Sequence, residues 1–248
     1  MGTAGARFMV AKQLAASGGL LVEEGTTRLC LDPGPGAVVQ YAKRKIDLAK
    51  LDGIIISHRH LDHCNDVNVM VEGMTEGGFK QRGRLFCPDD ALDGDAVVRQ
   101  YLMGFPEEVV RLAPETNYSV GEIAFRTSPL HIHGTQTYGF TFQAAAHPVG
   151  SAALGWITDS AYYEGIAAQH AAPVMIIHVV LMEGRPQLPH LCVADAERII
   201  REAKPRLAIL THFGMTVWRA HPWEVAEAIS QRTGIDVKAA RNGMSLDV

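Results

Sequence analysis

Apolar residues fall along this chain in two rhythms. Leu51-Asp52-Gly53-Ile54-Ile55-Ile56-Ser57, Ala153-Leu154-Gly155-Trp156-Ile157-Thr158, Val174-Met175-Ile176-Ile177-His178-Val179-Val180-Leu181 and Leu207-Ala208-Ile209-Leu210-Thr211 are short apolar runs, the mark of buried strands. After the first of them Val67, Met70, Val71 and Met74 recur at i, i+3, i+4 and i+7, the helical period. The pattern predicts strands around 20–31, 53–57, 84–87, 123–127, 137–145, 153–158, 174–181 and 206–211. It predicts helices near 65–76, 89–103, 161–169, 193–203 and 222–233. Such alternation favours layered α/β packing over an all-β sandwich. No repeat, low-complexity tract or linker interrupts it, so one domain over 1–248 is expected.

Composition narrows the setting. With 248 residues and 47% hydrophobic content the chain can bury roughly 70–75% of its unfolded surface. No stretch approaches ~20 uninterrupted apolar residues, and the start lacks the basic-then-apolar order of a signal peptide. Gly2 follows Met1, but Ala6 stands where lipidation needs Ser or Thr. A soluble, cytoplasmic protein with no membrane partner is expected. The net charge is −4, and the basic clusters Lys43-Arg44-Lys45 and Lys80-Gln81-Arg82-Gly83-Arg84 read as solvated faces, a weak footprint for a duplex or tRNA binder. Cys30, Cys64, Cys87 and Cys192 form no C-x-x-C pair, which removes the zinc-knuckle and redox readings.

The chemistry concentrates in His58-Arg59-His60-Leu61-Asp62-His63, which follows the strand at 53–57 and precedes the helix. Imidazole and carboxylate without interleaved cysteine suit a borderline divalent ion, zinc first, in an open hydrolytic site. His58 and His60 can aim at one ion while Asp62 and His63, further round the turn, aim at a neighbour.

The string resembles the His-x-His-x-Asp-His hallmark of the metallo-β-lactamase superfamily. The resemblance implies a four-layer αββα sandwich, two mixed β-sheets with helices outside and two divalent metal ions at one edge. Those ions are most simply Zn2+, with Mn2+ or Fe2+ equally compatible with the ligands. It also implies completing ligands at strand ends. Asp159, closing a run that ends Thr-Asp-Ser, resembles the bridging aspartate, and His212 in Leu-Thr-His-Phe resembles the terminal ligand of the ribonuclease Z branch. Pro129-Leu130-His131-Ile132-His133-Gly134 offers two imidazoles on the same face of any strand. His133 stands six residues before Gly139-Phe140, the spacing of the ribonuclease Z branch, and is assigned as ligand; His131 is the alternative, or a supporting residue behind the ligands. Asp32, opening Asp-Pro-Gly-Pro-Gly, resembles the aspartates that orient a metal-binding histidine. His190, ahead of the helix at 193–203, resembles the histidine that faces the scissile phosphate and implies a proton donor.

The remaining histidines carry quieter expectations. His178, inside an apolar run, is read as a hydrogen-bonded core or supporting residue, and His147, His170 and His221 as structural or exposed. Asp62 and Asp159 would hold the second ion and orient a metal-bridging hydroxide that attacks the substrate. The expected reaction is hydrolysis of a small or cyclic phosphodiester or a nucleic-acid fragment, and the alternative is acyl hydrolysis of a thioester, lactone or β-lactam. The acyl branches carry His-Thr-Pro-Gly where this chain has His133-Gly134-Thr135-Gln136, and the diiron flavoproteins expect glutamate where His60 stands. Only residues 134–158 separate His133 from Asp159, too few for a tRNA-gripping arm, so a small molecule or short nucleotide is the expected partner and tRNA is not. Family members often pair, which leaves a homodimer open. Gly2-Thr3-Ala4-Gly5 resembles the turn after the family's first strand, so the start reads as abbreviated.

Overall fold

The computed structural model describes residues 1–17, 19–144 and 151–248. A hairpin of β1 (Leu20–Glu24) and β2 (Thr27–Leu31) opens a sheet that continues in parallel through β3 (Gly53–Ile55), β4 (Arg84–Cys87) and β5 (Glu108–Arg111). A second sheet begins with β6 (Asn117–Val120), β7 (Ile123–Leu130), β8 (Tyr138–Gln143) and β9 (Leu154–Ile157), each antiparallel to the next. It then adds β10 (Val174–His178), β11 (Leu207–Thr211) and β12 (Asp236–Ala239) in parallel. The helices are α1 (Ala6–Ala11), α2 (Ala37–Lys43), α3 (Leu61–Cys64), α4 (Val67–Met74), α5 (Asp89–Leu92), α6 (Ile166–Gln169), α7 (Val193–Ala203), α8 (Met215–Arg219) and α9 (Pro222–Thr233).

Successive strand residues face opposite sides, and here both sides are covered. Leu29, Leu31, Ile55 and Phe86 pack inward against Phe125, Phe140, Trp156, Val174 and Ile209 of the other sheet. The alternate residues Cys30, Ile54, Ile56 and Leu85 face Tyr41, Val67, Met70, Val71 and Met74 on α2 and α4. Met175, Ile177, Ala208 and Leu210 likewise turn outward to Ile199 and Ile200 of α7 and Val225 and Ile229 of α9. The result is four layers, helices–sheet–sheet–helices, and it explains why these strands are continuously apolar. Each such fully buried Leu or Ile contributes about 1.5–3 kcal/mol.

Several expectations shift. The helix at 65–76 shortens to α4, which starts after Asp66, whose carboxylate accepts Val38 N–H at 3.1 Å, and the separate turn α3 precedes it within the histidine-rich string. The helix at 89–103 is only α5 and a 3₁₀ turn at Gln100–Leu102, because Gly94 takes φ +67° between them. The helix at 161–169 shrinks to α6, and the strand at 174–181 stops at His178. The strand at 20–31 is two strands, and the last residue of the one at 137–145 lies outside the described residues, as does His147. Near the start, Thr3 O accepts Phe213 N–H at 2.9 Å and Ala4 bridges Phe213, fastening this segment beside the end of β11. Among the described residues no helix is long and apolar enough to cross a membrane.

Candidate metal centre

The carboxyl ends of the parallel strands of both sheets meet at one edge of the sandwich, where ligands of open α/β sheets commonly bind. Asp32 follows β2, Ser57 and His58 follow β3, Asp159 follows β9, His178 ends β10 and His212 follows β11. Asp32 and His212 both take left-handed backbone, φ 50° and φ 55°. Such non-glycine conformations are costly and persist where surrounding bonds hold them.

Asp32 is the anchor of the first sheet's contribution. Its Oδ1 accepts Ser57 N–H at 2.7 Å, and its Oδ2 accepts Ser57 Oγ–H at 2.7 Å and His63 Nδ1–H at 2.8 Å. With its proton on Asp32, Ser57 Oγ accepts His58 Nδ1–H at 3.0 Å. Both rings therefore carry a proton on Nδ1 and turn Nε2 inward. His60 occupies the residue before α3, and the single turn of α3 carries Asp62 and His63 round to the far side. Gly34 is required beneath this turn, since a Cβ there would fall 2.0 Å from the Asp62 carbonyl oxygen.

The second sheet closes the ring. His133 Nδ1–H donates to Pro189 O at 2.9 Å, so its Nε2 is a lone pair, 3.0 Å from His60 Nδ1. Asp159 sits at the centre: Oδ1 is 3.0 Å from His178 Nδ1 and 3.3 Å from His212 Nδ1, and Oδ2 is 3.5 Å from His63 Nε2, 3.6 Å from His133 Nε2 and 3.5 Å from His190 Nδ1. Asp62 Oδ2 lies 3.4 Å from His212 Nε2 and 3.7 Å from His63 Nε2. The His178 and His212 rings stack with centroids 4.3 Å apart.

Burial would raise the Asp62 carboxyl, but the charge of His63 and the nearby His212 outweigh it and hold the group below its usual range. Asp159 is held low in the same way by His212 and His63 against burial. His63 is pushed up, because Asp62, Asp32 and Asp159 together overcome its desolvation. Burial, then the neighbouring His63, pushes His58 down. Burial also lowers His178 and His190 to about 4 each.

Three overlapping groups, His58/His60/His133, His63/Asp159/His178/His212 and His133/Asp159/His190, each bring their ligand atoms within 4.8 Å of one another. His58 Nε2, His63 Nε2, His190 Nδ1 and both ring nitrogens of His212 are buried without a hydrogen-bond partner. A buried polar atom left unpaired costs about 1–3 kcal/mol, so this many in one place call for an occupant. A pair of divalent cations fits the nitrogen and oxygen donors present.

His131 and His133 do not share a face. β7 ends at Leu130, so both lie on a bend where strand alternation no longer applies. His131 turns to the Asp159 carbonyl, 3.3 Å from Nδ1, and to His170 Nε2 at 3.4 Å, away from His60. His170 is buried behind the site, with its Nδ1–H donating to Ile166 O at 2.9 Å, while His221 is exposed. Ser57, which couples Asp32 to His58 and approaches Thr158 Oγ1 at 3.3 Å, went unread in the sequence, although its place directly before His58 was the available signal. The Pro189 carbonyl had no sequence signal, because its role depends on a contact across 56 residues.

The sequence profile of the beta-lactamase superfamily domain matches residues 27–213. A Methanocaldococcus jannaschii protein described as uncharacterized (MJ1374) is 29% identical over 255 residues, covering 100% of this chain and 93% of that one. Human tRNase Z, short form (ELAC1), superposes with a TM-score of 0.73 at 17% identity, over 100% of this chain and 98% of its own. The metallo-beta-lactamase fold protein YhfI from Bacillus subtilis gives a TM-score of 0.72 at 18% identity, over 90% and 88%.

Proposed function

The chain belongs to the beta-lactamase superfamily, and from that premise and the geometry of the centre we propose that it is a dinuclear metal-dependent hydrolase of a small or cyclic phosphodiester or a nucleic-acid fragment. His58, His60 and His133 would hold one divalent ion, and Asp62, His63 and His212 the other, with Asp159 reaching both. Zinc suits the donors, as do manganese and iron. When bound, the pair supplies an acidified water as nucleophile and neutralises charge developing on the substrate.

The chain's own groups do the positioning. Asp32 and the Pro189 carbonyl fix the proton on Nδ1 of His63 and His133, so that Nε2 of each faces inward. His178 holds Asp159 by its Oδ1 and leaves Oδ2 toward the histidines. Asp62, half-buried at the mouth, orients the attacking water.

His190 carries the choice of substrate. Its ring lies 4.7 Å from that of His133, and its unpartnered Nδ1 faces the centre, placed to protonate a departing oxygen. In the free site burial holds the ring down at about 4, so it is neutral. An entering phosphodiester brings a negative charge that favours the protonated ring; a neutral ester or thioester brings none. Residues 134–158 between His133 and Asp159 contain β8 and β9, which pair as antiparallel neighbours, and this length favours a small substrate over tRNA.

The test is turnover of bis(p-nitrophenyl) phosphate against a chromogenic thioester by the metal-loaded protein. Phosphodiester hydrolysis should dominate and fall on His190→Ala. Preferential thioester hydrolysis, unchanged in that variant, would overturn the reading.

A further inference from the structure

The two sheets meet tightly at the middle of the sandwich and part along one side. Leu20 and Val22 of β1 stand opposite Leu31 and Leu29 of β2 and share their inward face, yet the β2 pair is fully buried and the β1 pair only half-buried. In the other sheet Ile176 of β10 is also half-buried, while its direct neighbours Trp156 on β9 and Ile209 on β11 are buried. These residues line a cavity of about 370 Å³, within the usual range for small-molecule sites. Its buried floor includes His178 and His212, whose rings stack, and Trp156, whose ring centroid lies 5.6 Å from that of His178.

The mouth has a different chemistry. Its exposed lining is Glu23, Arg241 and the tail at 243–248, with Arg44 half-buried beside them. A Cβ on Gly243 would fall 2.1 Å from Arg44 Nη2, so the tail runs directly over this guanidinium. Arg44 Nη1 donates to the Gln40 carbonyl at 3.1 Å and to Gln40 Oε1 at 2.8 Å, both neutral acceptors. Among the described residues neither Arg44 nor Arg241 forms an ion pair, while Glu23 is held by Arg28 at 2.8 Å and Asp247, the other acid of the mouth, is exposed to water. Two guanidinium forks without a carboxylate partner, set over an apolar floor, match a ligand with an anionic head and an apolar body.

We propose that this cavity binds a carboxylate carrying an apolar chain, with the chain between β1 and the inner face of the second sheet and the head on Arg44 and Arg241. The site is separate from the reacting atoms, so it stands or falls independently of the phosphodiesterase reading. Its floor touches the carboxylate-rich half of the centre through His178 and His212, so an occupant rests against rings that lie 3.0 and 3.3 Å from Asp159 Oδ1.

Calorimetric titration of the metal-loaded protein should show saturable binding of undecanoate, about tenfold tighter than undecanol. Arg44→Gln combined with Arg241→Gln should erase that difference and leave undecanol binding near wild type. Val22→Phe and Ile176→Phe, which fill the cavity from its two walls, should weaken both ligands, with thermal melts to show that each variant folds. 11-Bromoundecanoate should quench the fluorescence of Trp156, and Trp156→Phe should lose that quenching while undecanoate still binds. Equal affinity for acid and alcohol, or an acid affinity unmoved by the double arginine variant, sets the head elsewhere, the metal ions included, and overturns the proposal. So does the absence of saturable binding, or quenching that persists in Trp156→Phe. Arg44 and Arg241 lie outside the core, so their variant keeps the test decisive where a filled variant fails to fold.

Discussion

The two halves of the centre are built on different principles. His58, His60 and His133 form an all-imidazole cluster whose outermost ring, His60, is half-exposed. Its rings are steered by neutral acceptors, Ser57 Oγ and the Pro189 carbonyl. The other half places His63 and His212 among Asp32, Asp62 and Asp159, nearly all of it buried. There Asp62, Asp32 and Asp159 together push His63 up, while His212 and His63 hold Asp159 low against its burial. A cation is favoured electrostatically on the carboxylate side and by lone-pair donation on the imidazole side. Asp159 joins the two, and its loss should affect both.

Asp159→Ala is accordingly the largest expected break: turnover falls to background, and metal analysis by mass spectrometry shows fewer than two ions per chain. Retention of both ions and of activity would separate the halves. His190→Ala should lower kcat on a phosphodiester with a poor alkoxide leaving group by about 10²–10⁴-fold, the usual worth of a positioned general acid, and by much less on bis(p-nitrophenyl) phosphate, whose phenolate departs readily unprotonated, with metal content unchanged. Asp32→Ala removes the partner of His63 directly and of His58 through Ser57, so affinity at both halves should drop about 10–100-fold in a competition titration with a chelator. His178→Ala removes the bond to Asp159 Oδ1 and the ring stacked on His212, so it should weaken the carboxylate-rich half.

An effect on stability alone lies behind the site. Burial lowers His170 from 6.5 to about 4, opposed by its bond to Ile166 O. A histidine kept neutral by the fold contributes its full stability above its unfolded value and loses it as pH falls toward the folded one. The metal-free protein should therefore lose about 3 kcal/mol through His170 between pH 6.5 and 4, seen as a falling urea midpoint, and His170→Asn should flatten that slope.

The buried strands were legible because each is apolar on both faces: Val174, Met175 and Ile177 are fully buried in a structure where helices cover one side and a sheet the other. α7 and α9 were legible from end to end, α7 bounded by the Asp195 bond to Cys192 N–H and α9 by Pro222 and Gly234. Strands β5, β6 and β12 escaped notice because their residues are mostly exposed, so pairing rather than burial defines them. α1, α2 and α8 are short helices whose ends carry no side-chain cap.

The sequence by itself determined the chemistry available: His58, His60, Asp62 and His63 within six residues already specify nitrogen and oxygen donors for more than one ion. It also determined that Asp159 and His212 would stand at strand ends, since each closes an apolar run. Only the tertiary structure decided which of His131 and His133 faces His60, because β7 ends before either and the backbone bend, not strand alternation, aims the rings. It alone brought His190 and the Pro189 carbonyl to His133, and Asp32 to Ser57 and His63, since hydrogen bonds between distant segments depend on how two sheets close at a common edge.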